Sequence, residues 1–281
     1  REDEILPLCE AEARRTHNYG RLVDRLLKSR RHEDAERWIH EGIRATEKEL
    51  PGIAHSLRQR FKAIRAAQKN RPVVAALEVE EFVTSPSYKG LVDCEKACAK
   101  LDIWSRVRGH LLTYLETGES PWKQRDWPLP PTGLDAPEPP QRLSFPLFDV
   151  LIEIAVREKD PERVLQWYDQ RQKKQGPRWS SFEEDHIASA VEHYAPDRAV
   201  AIWQRMAERL IAQVSPGAYE EATKHLRKAG AVMAREGKQA QWTRYLQDLR
   251  QTHARKRRLM EALDRMPDKP ILSQKSRRSS P

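Results

Sequence analysis

Cysteine is scarce in this chain: Cys9, Cys94 and Cys98 are the only three in 281 residues. Three thiols make no disulfide framework at this size, and a reducing, cytoplasmic setting is the expectation. Long apolar runs are missing too, so neither a membrane span nor a signal peptide is expected. Several chemical signatures are also absent: there is no HExxH helix, no glycine-rich phosphate loop and no GxSxG elbow. The hydrophobic share is 38% against 33% charged, which suits narrow cores with one apolar stripe per helix. Excess positive charge is confined to one end. From Arg250 to Pro281 ten Lys/Arg face three Asp/Glu, so this stretch carries +7 of the net +9.

What the chain has is helical phrasing that recurs. A small or aliphatic residue stands three positions before a tryptophan in Ala35–Trp38, Val164–Trp167 and Val200–Trp203, with a weaker copy at Gln239–Trp242. The last three tryptophans are 36 and then 39 residues apart, the length of one antiparallel helix pair in a stacked array. Asn18 is the expected cap of a helix through Leu22, Val23, Leu26 and Leu27, and Ala35, Trp38, Ile39 and Ile43 share the face of the next. Pro51 and Pro72 open two more, and Ser85–Pro86–Ser87 marks a break. Asp102 is the expected cap of a helix over Ile103 to Glu116, closed by Gly118.

In Trp127–Pro140 (WPLPPTGLDAPEPP) six of fourteen residues are proline, which forbids helix and favours an extended path. The expected division is an N-terminal helical arc over residues 1–120, a proline-rich connector over 121–142, and a C-terminal arc over 143–266. Residues 267–281 are expected to form a basic, disordered tail. The connector is read as a stiff link anchored by Trp122 and Trp127. Its PxxP spacings, Pro128 to Pro131 and Pro137 to Pro140, leave a proline-binding partner as an alternative. Beyond it a helix is expected from Leu143 to Lys159. Asp160–Pro161 and Ser215–Pro216 are cap-and-proline starts, Ser180 with Glu183 has capping-box spacing, and one long helix is expected from Lys238 towards Leu263. Arg1 already stands in helix-like sequence, so a fragment lacking an N-terminal part is expected.

Few residues point to chemistry. The tryptophans are expected to be core, each indole N–H finding a backbone partner. Cys94 and Cys98 share a helical face, and with His110 they remain one ligand short of a zinc site, so they read as buried thiols. Glu183–His186 has the Glu-x-x-His spacing of di-iron bundles, but no second copy exists. No catalytic, cofactor-binding or metal residue is assigned. The remaining candidates are Arg255, Lys256, Arg257 and Arg258 with Lys275, Arg277 and Arg278, which suit phosphate contacts without sequence readout. The competing reading is a solvated helix end.

Six stretches resemble bacterial SWIM zinc-finger proteins. His225–Ala229, Glu236–Lys238, Trp242 with Tyr245–Arg250, and His253–Asp264 (HARKRRLMEALD) are similar to their C-terminal end; Tyr19–Thr46 and Trp127–Leu134 are similar to their middle. In that family a Cys-x-Cys followed by Cys-x-His lies N-terminal to the helical region. Neither element is in this sequence, so zinc is expected only in the absent finger. The resemblance implies a helical-repeat accessory region of a DNA-, RNA- or protein-binding protein. The expected fold is all-α, tetratricopeptide-like antiparallel helix pairs forming an α-solenoid in two arcs. The expected role is a non-enzymatic scaffold for an unidentified protein partner. Nucleic-acid binding through the basic C-terminal helix and tail, an enzyme with a cryptic site in a helical cleft, and self-association are the alternatives.

Overall fold

The computed structural model describes residues 2–176 and 181–266, and every regular element among them is helical. In chain order these are α1 Glu2–Thr16, α2 Tyr19–Lys28, α3 His32–Thr46, α4 Pro51–Ala67, α5 Arg71–Thr84, α6 Tyr88–Cys98 and α7 Trp104–Thr117. A 3₁₀ turn, Pro121–Lys123, and an extended stretch separate them from α8 Phe148–Arg157, α9 Pro161–Gln175 and α10 Ser181–Val191. The last four are α11 Pro196–Ala212, α12 Pro216–Arg235, α13 Gln239–Thr252 and α14 Arg257–Asp264. The chain divides into two compact units, Arg1–Val150 and Leu151–Pro281. Residues 121–142 therefore belong to the first unit. No described helix is long and apolar enough to cross a membrane.

One turn recurs between successive helices. Seven helix starts are preceded directly by a residue in the left-handed region: His17, Arg30, Lys69, Asp102, Lys159, Val214 and Gly237, with φ between 51° and 71°. At four of them the bonding is the same. The N–H of the left-handed residue donates three residues back and the next N–H donates five back: Arg30 to Leu27 and Arg31 to Leu26, Lys69 to Ala66 and Asn70 to Arg65. Lys159 with Asp160 and Gly237 with Lys238 repeat it. This is the Schellman ending, and the second donor is also the N-cap of the following helix. Two residues thus close one helix and open the next. Only one of the four endings uses glycine, the residue that adopts this conformation without strain. The other three carry Arg or Lys, whose charge suits a helix C-terminus.

Several starts follow their sequence signals. The Asp160 carboxylate accepts from Arg163 N at 3.1 Å, and Ser215 Oγ accepts from Ala218 N at 3.2 Å. Gly118 closes α7, its N–H donating to Tyr114 O at 2.8 Å. Others differ. Asn18 stands at the N-cap of α2, yet its side chain makes no cap bond. Asp102 is the left-handed residue before α7 and Ile103 is its N-cap. The helix expected from Leu143 starts only at Phe148, because Pro146 disfavours helical geometry at its predecessor. The long C-terminal helix is two helices, broken at His253–Lys256 so that α14 can turn back and bury Leu259, Ala262 and Leu263. Ser180 lies outside the described residues.

Each unit has its own core. In the first, Leu22, Val23 and Leu26 of α2 meet Trp38, Ile39 and Ile43 of α3 and Leu57 and Phe61 of α4. In the second, Leu210 and Ile211 of α11 pack with Tyr219 and Leu226 of α12, Leu249 of α13 and Leu259 and Leu263 of α14. The tryptophans are not equivalent. Trp38 and Trp203 are fully buried, but Trp167 and Trp242 are half-buried. In α9 the buried position is taken by Tyr168, one turn beyond Val164. Trp242 lies against Gly230, where a Cβ would come within 2.9 Å of the indole, and it stacks on Tyr245. The buried indoles donate to carboxylates rather than to backbone: Trp38 Nε1 to Glu10 at 3.2 Å and Trp203 Nε1 to Asp185 at 2.8 Å.

Candidate functional site

After α7 the proline-rich stretch runs back over the helices that precede it. Gln124 Nε2 donates to the carbonyls of His110 and Glu119, and Trp127 meets the His110 ring edge-on at 5.3 Å. Arg106 donates to the Asp126 carbonyl. Leu129, Thr132 and Pro137 are buried, and Leu134 packs against the core of α2 to α4. Past Arg142 the chain is tied to α7, Leu147 N donating to Leu115 O at 2.8 Å and Phe145 meeting Tyr114 at 5.4 Å. The segment is a strap, extended because its prolines allow nothing else.

Arg58 of α4 and Glu80 of α5 hold its middle. Glu80 is only 6% exposed. The Thr132 hydroxyl donates to one of its oxygens at 2.8 Å, and Arg58 Nη1 donates to the other at 3.1 Å. The second terminal nitrogen of Arg58 donates to Glu47 at 2.7 Å and to the main-chain carbonyl of Asp135 at 2.8 Å. One guanidinium therefore bridges two carboxylates and reads the strap's backbone, using the planar fork that suits such a task. Burial pushes the Glu80 carboxyl up to about 7; the Thr132 hydroxyl and Arg58 pull it down without prevailing, and Glu47 adds to the rise. Beside this node α4, α5 and strap residues 136–142 line a groove of about 820 Å³. Its charges balance, Glu47, Glu80, Glu81 and Glu138 against Lys48, Arg58, Lys62 and Arg142, with His55 besides. Lys62 sits between Glu78 and Glu81 at 2.9 and 3.0 Å, and these partners raise its pKa against the effect of burial.

The second unit buries charge too. Glu184 of α10 is fully buried, paired with Arg205 at 3.2 Å and with Arg209, while the Tyr168 hydroxyl donates to it at 3.3 Å. Next to it in sequence, Asp185 accepts from Trp203 and from Lys228 at 2.6 Å. Burial pushes Asp185 up, but those bonds and the Lys228 charge together hold it below the usual range. Burial pushes His225 down. These clusters are closed on themselves: each carboxylate already has its cations.

The residues singled out in the sequence are dispersed. Arg255 and Arg258 are exposed without an ion-pair partner among the described residues. Lys256 is the N-cap of α14 and donates to Ile211 O at 3.0 Å, and Arg257 pairs with Glu261 at 3.1 Å. They do not form one helical patch, because the break before α14 divides them. Lys275, Arg277 and Arg278 lie outside the described residues. Cys94 and Cys98 are fully buried, and burial raises both thiols, Cys98 to about 11. His110 is engaged by Gln124 at 2.8 Å. No group of three or more metal-ligating side chains occurs among the described residues. Arg58, Glu80 and Thr132 were not anticipated, since Thr132 is 52 residues from Glu80 and Asp135 is 77 from Arg58. The one available signal was the set of glutamates inside the apolar run Val73 to Val83, and it does not separate Glu80 from Glu78 and Glu81. The chain matches no family model, no curated protein and no solved structure.

Proposed function

We propose that the chain is a non-enzymatic helical-repeat scaffold, built of tetratricopeptide-like helix pairs, whose α4–α5 face holds an extended segment of a protein partner. One observation carries this reading: the face already holds an extended segment of its own chain, with Arg58 on a main-chain carbonyl. A side chain that binds backbone rather than sequence is the recognition device an extended partner needs. The neutral, proline-walled groove beside the strap fits a polypeptide better than a polyanion. Against an enzyme stands the occupancy of Glu80, whose two oxygens are taken by Thr132 and Arg58. The likeness to the helical region of SWIM zinc-finger proteins belongs to the same proposal.

The test uses a fluorescent peptide with the sequence of residues 127–140, offered to the whole chain. In the native protein the tethered strap competes at an effective concentration near the millimolar range, so binding in trans is weak. Thr132→Val with Leu134→Ala loosens the strap, and about tenfold tighter binding of the peptide is expected. Arg58→Ala in that background removes it. Absence of saturable binding to the loosened chain overturns the reading, provided its helical circular dichroism is intact. A second reading, nucleic-acid binding, is favoured by exposed Arg255 and Arg258 alone. It requires salt-sensitive binding of random duplex DNA or single-stranded RNA that is lost with Arg255→Ala and Arg258→Ala.

A further inference from the structure

The first helix pair carries a groove of a different kind. It has a volume of about 500 Å³ and lies between α1 and α2. Arg21, Arg25 and Lys28 line it from α2, spaced i, i+4 and i+7, which puts them on one face over about 10 Å of helix. All three are exposed, and none forms a close ion pair among the described residues, although the Lys28 charge helps to lower the Asp24 pKa. Arg25 is turned towards the floor, its Nη1 3.7 Å from Cys9 Sγ. The carboxylate that would neutralise the stripe is diverted. Asp24 stands between the cations in sequence, but Arg60 of α4 takes both of its oxygens, at 2.7 and 2.8 Å, and holds its pKa low. Among the described residues that line the groove, Glu12 on α1 and Asp24, itself neutralised by Arg60, are the acids that face the three positive charges.

We infer that the α1–α2 groove is a docking site for an acidic, extended segment of a partner protein. The site stands apart from the α4–α5 groove, which shares none of these residues. Charge complementarity sets the class of ligand, and its spacing follows from the helix. Carboxylates two residues apart in an extended chain are about 7 Å apart, near the axial separation of Arg21 and Arg25. The same molecule supplies a precedent, for Arg44 and Arg58 take the acidic extended residue Asp135, at its carboxylate and its carbonyl. A phosphate backbone fits less well. Among the described residues no aromatic ring lines the groove to stack a base, and Glu12 faces the path of a continuous anion.

The probe is a labelled peptide of about ten residues alternating glutamate and serine, measured by anisotropy on the whole chain at low and moderate salt. Saturable binding that weakens with salt is expected. Arg21→Glu with Lys28→Glu should weaken it at least about tenfold, because two attractive contacts become repulsive. Both side chains are exposed, so the melting curve of this variant should match the parent. The loosened-strap peptide assay should be unaffected, which separates failure here from failure of the α4–α5 reading. Absence of binding at low salt overturns the inference, as does binding that ignores the charge reversal. A thymidine 20-mer that binds more tightly than the peptide and depends on Arg21 and Lys28 also overturns it, in favour of a phosphate site.

Discussion

At the scale of single residues, tryptophans that share the same spacing signal in the sequence take different roles. Trp203 is 1% exposed, with its N–H on Asp185 and Lys228 placed 5.8 Å from the ring centroid. Trp242 stands four residues into α13 where Trp203 stands eight into α11, and it leans on Gly230 of α12. Trp203→Ala should cost about 3–5 kcal/mol, the range for removing a large buried aromatic. It also strips Asp185 of one of its hydrogen bonds. Trp242→Ala should cost clearly less, since its ring already meets solvent. Urea denaturation of both variants checks this, and equal losses would show that the two rings share a common role. The three-residue spacing before each tryptophan was legible in the sequence. Which ring would be enclosed was not, because enclosure depends on the helix that arrives from elsewhere.

At the scale of elements, helix ends govern how the chain folds back on itself. The cap of α9 is bonded and that of α2 is not, although both sequences place Asp or Asn there. Asp160→Ala should therefore cost about 1 kcal/mol, and Asn18→Ala only a small fraction of that. The residue before Asp160 offers the opposite change. Lys159 holds φ at 57°, so Lys159→Gly should stabilise by about 0.5–1 kcal/mol as backbone strain is relieved. Thermal melts of the three variants test the turn as a unit, and a destabilising Lys159→Gly would show that the lysine makes up for its strain by other contacts. Prolines and capping residues made most helix starts legible. The left-handed endings were hidden, because Arg30, Lys69 and Lys159 lack the glycine that usually announces them.

At the scale of the whole molecule, buried charge links stability to pH. Glu80 titrates near 7 when folded and near 4.5 when free, so between those values the folded state binds more protons than the unfolded one. Stability should fall as pH rises through this window and level off above it, by up to about 3 kcal/mol from this group. Asp24, Glu41 and Asp185, whose pKa values are lowered, act in the opposite sense at lower pH. Glu80→Gln should remove the descending part alone, so the difference between the two chains at about pH 5 and about pH 8 isolates it. An unchanged difference across that range would place the titration on another group.

The sequence by itself determined that the regular elements of the described residues are helices, where most of them begin, and that residues 127–140 are extended. Those properties are local, set by apolar periodicity, caps and proline, and they are readable within a few residues. Only the tertiary structure decided that the extended segment lies across α4 and α5 and that Arg58 and Glu80 hold it. It also decided that Asp24 is drawn off by Arg60, leaving the α1–α2 groove positive. Each of these is a contact between residues tens of positions apart, and a carboxylate's partner is chosen by packing rather than by its neighbours in sequence.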